Sequence, residues 1–191
     1  MLKNLLAPVL LVAGTILGMF VLSAALQPAN FIVERQATMN APPEKVFEQV
    51  NNFHHWNDWS PWLELDPNAK PSFDGPAAGK GAKFAWAGNA NVGEGNMTIT
   101  ESQPNELVQL DLVFVKPFPG RCNTKFTFEP HGQGTNVTWA MSGKNTFPGR
   151  LMCMVMNMDQ MIGGRFDKGL ANMKAIVESP SKPELETPVK N

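Results

Sequence analysis

The hydrophobic rhythm of this chain takes three forms along its length. From Leu5 to Leu26 the residues are apolar or small and none is charged. From Asn30 onward, short segments alternate apolar and polar positions with a period near two. From about Pro148 to Val177, apolar residues return every three or four positions. These patterns predict a long apolar helix, a set of half-buried strands and a long amphipathic helix.

The middle region begins with a strand over Asn30–Met39. Pro42 and Pro43 open a short helix, with Glu44 in its first turn and Val46, Phe47 and Val50 as its apolar stripe. Pro61 disfavours the α conformation at Ser60, so a helix through Trp56 ends near Trp59. Ser60 is then placed to cap a second turn with Pro61 at its first position. Leu65–Gly81 is rich in Pro, Gly and Ala and reads as loop, with one short strand near Ser72–Phe73.

Strands follow at "AKFAWAG", "VGEGNMTITESQ" and "ELVQLDLVFVKPF", the last two divided by a Pro104-Asn105 turn. Leu110, Leu112 and Phe114 share one face of the third. "CNTKFTFEP" sets Phe126 and Phe128 together, and "TNVTWAMSGKN" does the same for Val137, Trp139 and Met141, across a turn at His131–Gly134. The final helix carries Leu151, Val155, Met158, Ile162, Phe166, Leu170 and Met173 on its stripe, and Pro180 stops it.

The order strand, short helices, strand meander, long helix defines an α+β domain. Six to seven antiparallel strands with one apolar face must be covered, and the C-terminal helix is the one large cover available. A strongly curved sheet wrapped on one helix leaves volume between them, which is the physical case for a ligand cavity. The expected organisation is an apolar anchor or signal segment over 1–29, the domain over 30–178, and a polar, Pro-rich, disordered tail over 179–191.

Composition narrows the functions. Lys and Arg total 16 against 17 Asp and Glu, with no basic stripe, so nucleic acid is not the expected partner. The 11 methionines suit either an adaptable apolar pocket or a filled core. Cys122 and Cys153 form no zinc spacing, and whether they pair is open. No metal and no cofactor is expected. As a helix, Leu5–Leu26 would span about 33 Å, against about 30 Å of bilayer hydrocarbon. That length exceeds the apolar core of a signal peptide and favours an uncleaved anchor; a cleaved signal would leave the domain secreted or periplasmic. Lys3 before the run predicts a single pass with the domain on the outer, periplasmic side.

The stretch "NNFHHWNDWSPW", Asn51–Trp62, concentrates three of the five tryptophans and two of the three histidines. Adjacent His54 and His55 diverge by about 100° on a helix and do not make a metal pair. Ser60 lies in no nucleophile elbow. The GxG of Val92–Asn96 reads as a strand bulge or close backbone approach rather than a phosphate loop. The enzymatic candidates are Asp159, inside an apolar part of the last helix, and Glu94. Beside a cavity Asp159 would have a raised pKa and could move protons; alternatively it is solvated or bonded to backbone, Arg165 or Lys168. Ligand-wall candidates are Trp59, Trp62, Trp86, Leu112, Phe114, Phe126, Phe128, Trp139, Met141, Met158 and Ile162.

Three stretches carry a family resemblance: "FIVERQATMNAPPEKVFEQVNNFHHWNDWSPW", "GEGNMTITESQPNELVQLDLVFVKPF" and "MDQMIGGRFDKGLANMK". Together they resemble the SRPBCC superfamily of START-like and polyketide cyclase/dehydrase-like proteins. The resemblance implies a helix-grip fold with an internal apolar pocket, and implies no single chemistry. The resulting expectation is a membrane-anchored domain binding a small apolar molecule or lipid, with Trp56, Trp59 and Trp62 closing or lining one end. An acid/base enzyme of the cyclase/dehydrase or hydrolytic type and a ligand-free envelope interaction module are the alternatives.

Overall fold

The computed structural model describes residues 2–144 and 158–180. Helix α1 runs over Leu2–Ala25 and strand β1 over Asn30–Met39. Then come α2 (Pro43–Asn51), a 3-10 turn (Phe53–His55) and α3 (Trp56–Trp59). Six strands follow: β2 (Lys70–Asp74), β3 (Lys83–Ala87), β4 (Glu94–Gln103), β5 (Leu107–Lys116), β6 (Gly120–His131) and β7 (Gly134–Lys144). Helix α4 occupies Met158–Glu178. The expected start of that helix at Pro148, its stripe residues Leu151 and Val155, Cys153 and the tail from 181 lie outside the described residues.

The sheet has seven strands in the order β1-β7-β6-β5-β4-β3-β2, all neighbours antiparallel. The two short strands β2 and β3 extend one edge, and β1 forms the other. The alternation read from the sequence is the alternation observed: on β6, Cys122, Thr124, Phe126 and Phe128 are buried or nearly so, while Asn123 and Lys125 are exposed. α2, α3 and α4 cover this apolar face. Phe47 of α2 meets Phe128 edge-on at 5.6 Å, and Asn172 of α4 donates to the Trp59 carbonyl at 3.2 Å.

Pro42 precedes α2 in an extended conformation with Pro43 inside its first turn, as the double proline requires. α3 ends at Trp59, and Ser60 is extended at ψ 124, consistent with the constraint from Pro61. The second expectation for Ser60 is corrected. Its backbone N–H closes α3 on the Trp56 carbonyl at 2.8 Å, and Pro61–Leu65 is a turn rather than a helix that Ser60 caps.

The buried core runs from Val33 to Val177 and, among the described residues, takes none from α1. Among the described residues of α1, Ala24 alone is buried, and it lies outside that cluster. α1 is one continuous helix with Leu11, Val12, Ile16, Phe20 and Leu22 exposed. Among the described residues no helix is long and apolar enough to cross a membrane. The side chains at 1–7, 9, 10, 13 and 17 lie outside that description.

Candidate functional site

The strand register arranges the inward-facing side chains in cross-strand rows. Under α2 lie Val137 and Phe128. The next row is Arg35, Trp139, Phe126 and Val108, followed by Val33, Met141, Thr124, Leu110 and Ile99. Beyond them come Phe31, Gly143, Cys122, Leu112, Met97 and Phe84, and finally Phe114, Gly95 and Trp86. Burial falls along this series. Phe126, Val108 and Val137 are fully enclosed, Met97 and Leu112 retain 8 and 9% exposure, and Phe31, Phe84, Trp86 and Phe114 are half-buried. Among the described residues the concave face is thus closed at the α2–α3 end and open at the other.

The closed end is an aromatic cluster. Trp139 stacks on Phe166 of α4 at 4.0 Å and 10°, and on Phe126 at 4.8 Å. Trp59 meets Trp139 edge-on at 5.6 Å, and Trp62 does so at 5.7 Å. Each such pair adds about 0.5–1.5 kcal/mol beyond area burial. Trp56 and Trp59 are anchored by their indole N–H groups to the carbonyls of Val50 and Gln49, at 2.9 and 3.0 Å. Both are buried. They plug the closed end of the grip, where the turn at Pro61 folds them under α4. Trp62 is half-buried beside them.

The remaining wall candidates divide by row. Phe126, Phe128 and Trp139 belong to the closed end. Met141 stands at the transition, and Leu112, Phe114 and Trp86 lie toward the open one. Ile162 is half-buried on α4. Met158 is the first residue of α4, and its side chain lies outside the described residues. Phe31, Met97, Phe84 and Cys122 join the open wall, although their spacing alone did not mark them as wall residues. Cys122 is free, and burial followed by the nearby Asp111 charge pushes its thiol pKa up.

Gly95 shows why the open wall has its shape. A Cβ there would meet the Trp86 ring at 2.5 Å, so Trp86 lies flat across the strand where a side chain is missing. The register slips between Glu94 and Gly95, in agreement with the bulge reading of this GxG.

The carboxylate candidates do not converge on the concave face. Asp159 accepts from Arg35 Nη1 and Nη2 at 3.1 and 2.9 Å, and its side chain is 59% exposed. The hydrogen bond from Arg35 holds the carboxyl below the usual carboxylate range. This reverses the raised pKa expected of an acid/base Asp159, and its partner is Arg35 rather than Arg165 or Lys168. Glu94 takes a separate cation, Lys116 Nζ at 2.9 Å. His54 stacks on Phe73 at 4.1 Å while His55 lies 3.7 Å from Glu48, so the two imidazoles have different neighbours.

Two surface grooves lie beside the β2–β3 edge. One of about 80 Å³ lies between the 3-10 turn and β2, and another of about 190 Å³ lies on the polar outer face of β2–β4. Both fall below the roughly 300–1,000 Å³ of ordinary ligand sites.

A curved antiparallel sheet closed by one C-terminal helix, with an apolar concave face open at one end, defines a helix-grip protein of the SRPBCC type. Residues 30–178 match the profile of the family described as polyketide cyclase / dehydrase and lipid transport, and the chain belongs to that family. Among curated proteins none matches it in sequence. Solved structures share the fold at low identity. A Chromobacterium violaceum protein has a TM-score of 0.57 at 17% identity, covering 81% of this chain and 100% of its own. The Aha1 dimer of Colwellia psychrerythraea has 0.57 at 17%, covering 78% and 96%. The di-domain ARO/CYC protein BexL of the BE-7585A biosynthetic pathway has 0.58 at 12%, covering 84% and 54%.

Proposed function

We propose that this domain binds a small apolar molecule or lipid in the open half of its grip, and that α1 holds it at a membrane surface. The observation that carries the reading is the burial gradient. Inward-facing apolar side chains lose cover toward the end of the sheet where β1 begins, and α1 feeds the chain into that same end. The link from Ala25 to Asn30 reaches at most roughly 17 Å. A ligand partitioning in the bilayer would thus meet the uncovered end of the grip.

Two further features support this. α1 exposes apolar side chains around its circumference, the pattern of a helix made for an apolar surrounding. The β5–β6 hairpin, at the same end of the sheet, exposes Val115 and Phe118 next to Lys116, a mixture suited to a headgroup interface. The family description spans both cyclase/dehydrase and lipid transport. The binding reading is preferred because Asp159 and Glu94, the proposed acid/base pair, are separately neutralised by Arg35 and Lys116.

The test of the anchor is membrane fractionation of the full chain. Retention in the pellet after an alkaline wash is expected. Release of the full-length chain by that wash would remove the anchor from the reading.

A further inference from the structure

Two buried polar groups on the concave face have no hydrogen-bond partner: the indole Nε1 of Trp139 and the hydroxyl of Thr124. Their residues are 2 and 3% exposed. Interiors rarely leave such groups unpaired, because each lost partner costs about 1–3 kcal/mol. The chain otherwise satisfies its enclosed indoles, since Trp56 and Trp59 both donate to carbonyls of α2.

The two residues are diagonal neighbours in the sheet register. Thr124 pairs with Met141, two positions along β7 from Trp139, so they sit diagonally on adjacent strands of one face. Thr124 sits in the row just below Leu112 and Cys122, and Trp139 lies one row deeper, in the row of the aromatic cluster nearest the open end. An apolar molecule entering from the open end would reach them with its leading group.

Resting on the binding reading above, we infer that the ligand carries an uncharged oxygen at its buried end, a ketone, ester, quinone or hydroxyl oxygen, held by Trp139 Nε1–H and the Thr124 hydroxyl. A charged head is disfavoured there. Among the described inward-facing residues the nearby cation is Arg35, already bonded to Asp159 and Asp167, and an unpaired buried charge costs far more than a neutral oxygen.

The test compares two fluorescent probes on the 30–178 domain: prodan, an apolar naphthalene bearing a ketone, and N-phenyl-1-naphthylamine, which has no oxygen. Trp139→Phe keeps an aromatic ring against Phe166, and Thr124→Val keeps the side-chain shape. Thermal unfolding reports whether each variant is folded. Each substitution should weaken prodan roughly three- to tenfold, the value of one neutral hydrogen bond, and leave the naphthylamine within about twofold. Prodan emission should also shift to the blue as its carbonyl loses a donor. Unchanged prodan affinity in both variants, or equal loss for both probes, would overturn the oxygen anchor while leaving the apolar pocket standing. If neither probe binds the parent domain, the binding reading falls and this inference with it.

Discussion

The guanidinium of Arg35 lies directly against the backbone of Gly163, in space that a Cβ at Gly163 would occupy. Asp159 and Asp167 stand one helical turn to either side of that glycine, and both bond to Arg35, at 2.9 and 3.3 Å. Arg35 also donates to the carbonyls of Glu34 and Asp159, at 2.7 and 3.1 Å. One side chain from the edge strand therefore fixes the beginning of α4 over the sheet. At the far end of the helix, Glu178 accepts from the Asn40 backbone N–H at 2.6 Å. These two clamps set which rows of the concave face the described helix covers.

Adjacent glycines of α4 should respond oppositely to alanine. A methyl group added at Gly164 would have no neighbour within 4 Å, so Gly164→Ala should stabilise the domain by about 0.5–1 kcal/mol through helix propensity. Gly163→Ala gains the same propensity but must displace Arg35 from two carboxylates, and should fall about 1 kcal/mol or more below Gly164→Ala. Chemical unfolding of the two variants gives the comparison; equal stabilisation would show that the clamp does not need the glycine.

The clamps also predict an acid response. Asp159 is held low by Arg35, and Glu178 is held low first by the Asn40 N–H and then by Lys174. A carboxyl whose folded pKa is depressed contributes stability that is fully present above its unfolded value, near pH 4, and is lost as pH falls through the lower folded value. The thermal midpoint should therefore drop below about pH 4. In Asp159→Asn that drop should be shallower and the neutral-pH midpoint slightly lower. A variant with the parent's acid profile would exclude this pair from the pH dependence.

Asp159→Asn bears on chemistry as well. Probe affinity of the 30–178 domain should stay within about twofold of the parent, because the carboxylate points to Arg35 at the sheet edge. A tenfold change would return Asp159 to the site.

Much of this architecture is written in the chain's periodicities. Period two at Leu110–Leu112–Phe114 and Val137–Trp139–Met141 marks the inward face before any pairing is known. The same period marks Thr124, two residues before Phe126, although a lone hydroxyl among apolar neighbours gives no sign that it lacks a partner. Arg35 was illegible for a different reason. It interrupts an apolar face, and what makes it tolerable lies 124 residues away on α4. The position of Trp59 depends on how the chain turns at Pro61, so its spacing could not separate plug from mouth. Glu94 sits at a register slip, where alternation no longer assigns a face.

The aromatic plug should carry much of the domain's stability. Phe166 is 1% exposed and stacked on Trp139. Phe166→Ala should cost about 3–5 kcal/mol in chemical unfolding. A cost under 1 kcal/mol would mean that the closed end is loosely packed and that the burial gradient has been misread.

The central claim is that the open half of the grip holds an apolar molecule. Native mass spectrometry of the 30–178 domain, purified without detergent, tests it most directly. The expected result is a population heavier than the bare polypeptide by one lipid-sized mass, released on gentle activation and depleted by competition with N-phenyl-1-naphthylamine. A single bare mass under the gentlest conditions, from a domain that also fails to bind the probe, would contradict it.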